Sequence, residues 1–547
     1  MKRHRMEVAG MTCDSCNVHV ARALERAGAR EVDADWRRGE AVFAADGAVG
    51  PDRLAEAVRD AGYGPGAVTV LEEEERAAAH AGSSDYDLLV IGAGSAAFAA
   101  AIKARDRGAR VALVEQGIVG GTCVNVGCVP SKALLRAGEV YHQAGHHDFD
   151  GIETSAGAVD LAALVAQKNK LVETMRQEKY LDLVDAYGFE LIPGHATFTG
   201  PDAVAVDGRT ITADAYLVAT GASPSIPPIE GLAEAGYLTS TTALDLEERP
   251  GSIAVIGANA IGLELGQFFL HFGTKVLFFD VLDRIAPFEE PEVSEALATI
   301  LRDQGAEVFA PARILKITGG SEGRVVQAEF GGETREFPVD QVLVATGRRP
   351  NTARMGLKEA GVALDDRGFV VVDEHLRTSN PKVLAAGDCT PSPQFVYVSA
   401  YQGSLAAENA LDGAARTVDL RALPRVTFTS PQIASAGLTE AQAREQGREV
   451  ITSVLPLSAV PRAIVNRETR GLIKMVADGS TDELLGVSIL SENAGEVIQA
   501  AVLAVKYRLT VAELADTFHP YLTIAEGLKL AAQTFTRDVA MLSCCAA

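Results

Sequence analysis

Residues 88–97 read Leu-Leu-Val-Ile-Gly-Ala-Gly-Ser-Ala-Ala, and the fold turns on this stretch. Four consecutive apolar residues predict a strand buried on both faces, as in a parallel sheet. Gly92 and Gly94 follow at once, with Ala97 in the last place of a G-x-G-x-x-A pattern. Glycine permits a tight turn and lets the backbone approach a pyrophosphate, which then sits at a helix N-terminus. A second apolar run at 111–114 ends in Glu115, 23 residues after Gly92. An acid there accepts hydrogen bonds from a ribose. Strand, turn, helix and acid together predict a dinucleotide site.

The same unit recurs further along. Ile253-Ala254-Val255-Ile256 leads into Gly257-Ala258-Asn259-Ala260-Ile261-Gly262, and Asp280 again lies 23 residues after the first glycine. Asn259 takes the place of the middle glycine. Asparagine tolerates left-handed backbone better than most residues, which makes the replacement reasonable. Asp280 would accept from a free 2′-hydroxyl and repel a 2′-phosphate, which favours NADH; Arg284, four residues on, pulls the other way. The repeat marks an internal duplication of a nucleotide-binding unit.

Between these turns lies GGTCVNVGCVPSK, residues 120–132. Cys123 and Cys128 sit where a helix would start, and a helix N-terminus stabilises a thiolate. Their spacing allows both sulfurs to share one face and close a disulfide. A two-thiol couple can accept two electrons delivered as hydride. Six of the seven cysteines form such close pairs, the others being Cys13/Cys16 and Cys544/Cys545; Cys389 stands alone. Close pairs in a long chain point to metal binding or redox chemistry rather than to a disulfide scaffold.

Residues 1–71 form a separate pattern. Apolar stretches near 6–9, 32–36, 41–45 and 67–71 alternate with helical periodicity near 14–27 and 51–61, which predicts a ferredoxin-like β-α-β-β-α-β unit. Residues 72–84, charged and then small and polar, read as a tether. Hydrophobic content of 47% with 22% charge indicates a globular chain, and 547 residues call for roughly three to five domains. A net charge of −23 disfavours nucleic acid and anionic membrane as partners. No apolar run reaches the ~18 residues of a membrane span, and the basic N-terminus lacks the apolar stretch of a signal peptide, so a cytoplasmic location is expected.

The string at 120–132 resembles the active-site disulfide of the flavin-dependent pyridine nucleotide–disulfide oxidoreductases. Ala-Thr-Gly at 219–221 and 345–347, with Gly387-Asp388, agrees with that family over about residues 85–547. The resemblance implies FAD contacts at Gly121, Thr122, Thr220, Gly221, Gly347 and Asp388. It makes Cys128 the thiolate beside the flavin and Cys123 the outer exchange thiol. Lys132 would lie near the flavin with Glu264 as partner. His519-Pro520 resembles the family's His-Pro, whose histidine serves the active site of the other subunit, so a homodimer is implied.

Three departures distinguish this chain within the family. Gly10-Met11-Thr12-Cys13-Asp14-Ser15-Cys16, with Tyr63 after Gly62, resembles the heavy-metal-associated domains. An exposed C-x-x-C at a loop–helix junction suits soft ions that take two sulfur ligands. Cys544-Cys545 is similar to the tail with which the mercury-reducing branch of the family hands Hg(II) to the active site across the dimer. Tyr521 and Tyr180, the latter 57 residues after Cys123, match tyrosines that line the metal site in that branch. A lone tyrosine on an apolar helix is also an ordinary packing residue. The implied activity is NAD(P)H-driven reduction of thiol-bound Hg(II) to Hg(0).

The expected architecture is therefore α/β and α+β. A metal-binding domain (1–71) and tether (72–84) precede an FAD-binding Rossmann-like domain (85–249, completed by 376–420). An NAD(P)H-binding Rossmann-like domain (250–375) and a C-terminal α+β dimerisation domain with a metal-binding tail (421–547) follow. Two other readings compete: a disulfide reductase of lipoamide or glutathione carrying an extra metal-binding domain, and a copper or zinc chaperone whose flavoprotein half keeps its thiols reduced.

Overall fold

The structure is a computed structural model, and it describes residues 2–45, 49–71, 84–413 and 415–541. Cys544 and Cys545, and most of the tether, lie outside the described residues. The chain divides into two compact units, residues 1–84 and 85–547.

In the first unit, β1 (Lys2–Ala9), α1 (Asp14–Ala27), β2 (Arg30–Asp35), β3 (Glu40–Ala45), α2 (Pro51–Asp60) and β4 (Gly64–Leu71) follow the expected order. The sheet runs β2-β3-β1-β4, antiparallel throughout. Alternation along β1 sends Met6 and Val8 inward, where they meet Val20 and Leu24 of α1, Phe43 of β3, and Leu54 and Val58 of α2. Helix α1 ends because Gly28, at φ 107°, turns its N–H back to the carbonyls of Leu24 and Glu25. This one-sided core leaves Cys13, at the start of α1, exposed and Cys16, one turn in, half-buried.

The second unit is built from two similar halves and a third region. Five parallel strands run in the order Val383–Ala385, Ala213–Val218, Tyr86–Ile91, Val111–Glu115 and Glu190–Pro193. Four more run in the order Glu307–Phe309, Lys275–Phe279, Ser252–Ile256 and Gln341–Val344. Each half also carries a three-stranded antiparallel sheet, residues 196–211 in one and 312–339 in the other. The duplication thus extends well beyond the two glycine turns. The helix Val396–Leu411 returns to pack on Ser95–Arg105, and a Cβ at Gly403 would lie 2.0 Å from the Ala96 carbonyl oxygen. That close approach explains the glycine.

The third region is a five-stranded antiparallel sheet ordered Pro424–Thr427, Gln432–Gly437, Leu484–Ser491, Leu472–Asp478 and Val450–Pro456. Two neighbouring strands, Leu472–Asp478 and Leu484–Ser491, are buried at every position, a pattern of strands covered on both faces. Lys474 is 2% exposed, and its ammonium meets Glu290 at 3.0 Å, Glu292 at 2.8 Å and Glu440 at 2.8 Å. The cluster joins the second nucleotide half to the third region. Among the described residues no helix is long and apolar enough to cross a membrane.

Candidate active site and metal-capture site

The first glycine turn is shaped by contacts, not by sequence pattern alone. Gly92 has φ 115°, and a Cβ there would lie 2.4 Å from the Ala219 carbonyl oxygen. Gly94 caps the helix Ser95–Arg105, and Gly121 packs so closely that its Cβ would come within 2.7 Å of the Gly94 Cα. Ala97 is wholly buried behind the turn. Glu115 closes the site: one carboxylate oxygen accepts from the Ala93 N–H at 2.9 Å, the other from Gly117 N–H at 2.7 Å.

Around this turn the chain leaves buried polar atoms without hydrogen-bond partners. Thr220 Oγ1 and Arg348 Nε are both of this kind. A buried polar group with no partner costs free energy, so such atoms mark where a ligand's oxygens belong. Gly221 (φ 69°) and Gly347 (φ 107°) face open space. Asp388 lies 3.8 Å from Arg348 and accepts from the Ser399 hydroxyl at 3.3 Å; burial raises its carboxyl above the usual range. Arg348 also donates toward Thr122 at 3.4 Å. A backbone turn at a helix N-terminus, a ribose acceptor and unpaired buried donors fit a dinucleotide such as FAD.

Cys123 and Cys128 flank a break rather than sharing one helix. Cys123 lies in the short helix Gly121–Val126, and Cys128 begins the next, Cys128–Gly145. Gly127 makes the joint: a Cβ there would fall 2.9 Å from the Thr122 carbonyl oxygen and 3.3 Å from the Cys123 Cα. The two sulfurs therefore meet across this joint and do not share the face of one helix, as their spacing alone suggested. Cys123 donates a hydrogen bond to Cys128, which with Lys132 holds the Cys128 thiol down at about 7 against the cost of its burial. The same bond, helped by burial, pushes Cys123 well above the ordinary thiol range.

Lys132 is itself anchored. Its ammonium contacts Glu264 at 2.7 Å and lies 4.7 Å from the centre of the Phe428 ring. The other Glu264 oxygen accepts from the Phe428 N–H at 2.9 Å, so one buried carboxylate ties the second nucleotide half and the third region to the redox helix. Tyr180 sits in a π-helical turn, Gln177–Leu181, edge-on to Phe98 at 4.8 Å. Such turns re-aim side chains and recur at functional sites. Burial raises the Tyr180 phenol, which hydrogen-bonds Ser95 and feels the charge of both sulfurs. His519 and Tyr521 lie apart from this constellation, on an exposed segment around Phe518, which is 99% exposed.

The second turn repeats the first. Gly257 (φ 97°) could not carry a Cβ, which would lie 2.5 Å from the Ala345 carbonyl oxygen; at Gly262 it would lie 1.9 Å from the Gly257 oxygen. Asn259, by contrast, has φ −106° as N-cap of the helix Ala260–His271. Its presence there needs no left-handed tolerance: this position is extended backbone that any residue adopts. Asp280 accepts from the Ala258 N–H at 2.8 Å and the Leu282 N–H at 2.9 Å.

In the first unit, Cys13 caps α1 and Cys16 lies one turn in, with 3.6 Å between the sulfurs. The Thr12 N–H donates to Cys16 Sγ at 3.4 Å. That bond, a second from the Tyr63 phenol and others from Cys13 hold the Cys16 thiol at about 6, while Tyr63 is raised in turn. Cys389 is a buried thiol donating to the carbonyls of Val218 and Ala386, both at 3.3 Å. Arg348 and Thr12 escaped sequence reasoning. Arg348 carries no motif beyond following the Ala-Thr-Gly at 345–347, and Thr12 acts through its backbone.

Three family models match the chain: the pyridine nucleotide-disulphide oxidoreductase over residues 86–403, its dimerisation domain over 423–532, and the heavy-metal-associated domain over 5–64. The chain is 50% identical to a mercuric reductase of Staphylococcus aureus, covering 99% of each. It is also 50% identical to one from Bacillus cereus, covering all of this chain and 87% of that one. Among solved structures, the HOCl-induced flavoprotein disulfide reductase RclA from Escherichia coli is 31% identical with a TM-score of 0.74, covering 83% of this chain and all of that one.

Proposed function

Because the chain belongs to the mercuric reductases, within the pyridine nucleotide-disulphide oxidoreductase family, we propose that it reduces thiol-bound Hg(II) to Hg(0) with electrons from NADH or NADPH. One arrangement carries the reading: each described pair sets a cysteine with a lowered thiol beside a second sulfur, Cys16 3.6 Å from Cys13 and Cys128 across the Gly127 joint from Cys123. Mercury–thiolate bonds are strong, so the ion moves only when an incoming thiolate attacks before an outgoing one leaves. A single thiol would trap it; a pair passes it on.

In this scheme Cys13 and Cys16 capture Hg(II), Cys544 and Cys545 relay it, and Cys123 and Cys128 receive it. Gly92, Gly94, Gly121, Thr122, Thr220, Gly221, Gly347, Asp388 and Glu115 would hold FAD; Gly257, Asn259, Gly262 and Asp280 the nicotinamide dinucleotide. When bound, FAD supplies two-electron transfer from the nicotinamide to the thiol pair and its ion. Lys132, oriented by Glu264, favours the charged form of Cys128. Tyr180 keeps its proton and offers a hydroxyl beside the cysteines. Thiolates hold a neutral mercury atom weakly, which lets the product leave.

The dimerisation domain supports a homodimer. Exposed Phe518 and Tyr521, with half-buried His519, would then meet the partner's cysteine pair, His519 as an acid–base group and Tyr521 as part of the metal site. The substrates are small thiol–Hg(II) complexes, and the compartment is the cytoplasm. Cys128→Ala is expected to abolish mercury-dependent NAD(P)H oxidation while the protein still binds flavin; normal turnover by that variant would sink the assignment.

A further inference from the structure

The helix that carries Cys123, Gly121–Val126, is six residues long, and a helix that short is not stable without tertiary anchors. One anchor lies between the cysteines themselves. The Asn125 amide nitrogen donates to the carbonyls of Val119 at 3.0 Å and Gly121 at 2.9 Å. Both amide protons are thereby used, which leaves the oxygen to accept. Arg176 Nη1 donates to it at 3.2 Å. The donor is charged, so this bond is stronger than one between neutral groups.

Arg176 comes from another element. It ends the helix Leu161–Arg176 and immediately precedes the π-helical turn that presents Tyr180. A second contact joins the same two segments. Gly120, the N-cap of the cysteine helix, has φ 103°, and a Cβ there would lie 3.3 Å from the Asn125 amide nitrogen and 3.5 Å from Tyr180 Cδ2. The missing side chain lets the Tyr180 ring and Asn125 close over the start of that helix. At the other end the Gly127 joint separates Cys123 from the helix that Cys128 begins. No continuous helix therefore fixes one sulfur against the other, and anchors from outside must do so.

We propose that Arg176 is a positioning residue for the thiol pair: through Asn125 it holds the helix of Cys123 against Cys128. The proposal rests on reading Cys123 and Cys128 as the exchanging pair. Oxidised dithiothreitol probes it without mercury. Exchange forms the Cys123–Cys128 S–S bond and opens the cyclic disulfide of the reagent, and two electrons with two hydrogens pass from the pair to dithiothreitol. Once formed, the S–S bond ties the helix in place by itself, so the clamp restrains mainly the dithiol form. Without Arg176 the dithiol gains freedom that the disulfide cannot, and the equilibrium moves toward dithiol.

The test equilibrates full-length holoenzyme, without nicotinamide or mercury, in mixtures of oxidised and reduced dithiothreitol, and quantifies the pair by alkylation and peptide mass mapping. Arg176 is half-buried at a helix end, so methionine, of similar length, leaves the fold intact. Arg176→Met should shift the equilibrium about tenfold toward dithiol, the order of one charge-assisted hydrogen bond. For this two-electron couple tenfold is ~30 mV. Arg176→Lys keeps a charged donor and should shift it by roughly threefold or less. Lys168→Met, in the same helix but paired with Asp245 at 2.6 Å, should leave it unchanged. Asn125→Ala should also favour dithiol, and adding Arg176→Met to it should go no further, because both act through one interaction. An unchanged equilibrium in Arg176→Met would overturn the proposal. So would an equal shift in Lys168→Met, which marks general loosening of the helix, or shifts that add in the double variant. A protein that shows the expected shifts yet releases no mercury would refute the proposed function and leave this inference standing.

Discussion

Replacing Tyr63 by phenylalanine removes a hydroxyl and nothing else from the metal-capture site, and the structure sets the size of the effect. Cys16 sits at about 6 against 9.0 for an ordinary thiol, through the Thr12 N–H first, the Tyr63 phenol second and Cys13 after that, with burial opposing. At pH 7 a thiol at about 6 is thiolate by roughly ten to one, whereas one at 9.0 is thiolate in about one molecule per hundred. Losing the second of several hydrogen bonds should raise Cys16 by about one pK unit, toward 7. The thiolate fraction at pH 7 would then drop from about nine-tenths to about one-half. The change is larger at lower pH, approaching tenfold near pH 5, and vanishes above pH 9, where both proteins are ionised. The assay is the pH dependence of Cys16 alkylation by iodoacetamide in the full chain, followed by peptide mass mapping. A midpoint that rises by about a unit in Tyr63→Phe supports the reasoning. An unchanged midpoint would show that the phenol does not stabilise the thiolate and that the Thr12 N–H suffices.

Other perturbations follow the same logic. Cys123→Ala deletes the hydrogen bond that contributes most to holding Cys128 at about 7. The Cys128 alkylation midpoint should then rise toward the ordinary thiol range, and Lys132→Met should move it the same way by less. Lys474→Met strands Glu290, which is 2% exposed, together with Glu292 and Glu440. Leaving a buried charge uncompensated typically costs about 3–5 kcal/mol, so a clearly lowered thermal midpoint is expected, partly restored by adding Glu290→Gln. Changing Cys544 and Cys545 together to alanine should cripple turnover of Hg(II) held by bulky thiols and spare small complexes, as read by nicotinamide oxidation with each donor.

Much of the architecture was legible because a few residues admit one geometry. Gly92 and Gly257 stand where any side chain would strike a carbonyl, so the turns announce themselves, and the acids 23 residues on locate the second strands. Alternation at Met6 and Val8 did the same for the metal-binding unit. Reasoning from spacing failed where a local break intervened: Gly127 interrupts the helix between the two cysteines, so they do not share one helical face as the spacing allowed. It also misjudged Asn259, whose extended backbone needed no special tolerance. Interactions between distant segments were illegible without the resemblance or the fold. Lys132 and Glu264 are 132 residues apart, and nothing local indicates that Arg284 Nη2 bonds the carbonyls of Pro287 and Glu289. Thr220 and Arg348 emerge as candidates for the proposed cofactor site only once their buried atoms are seen to lack hydrogen-bond partners.

The central claim is that the substrate is mercury and not a disulfide. Purified holoenzyme supplied with NADH or NADPH should be given HgCl2 with excess small thiol, then lipoamide, then glutathione disulfide, with nicotinamide oxidation and volatilised mercury measured together. The account predicts nicotinamide oxidation matched one for one by release of elemental mercury, and little turnover of either disulfide. Rapid reduction of a disulfide without mercury release would contradict it.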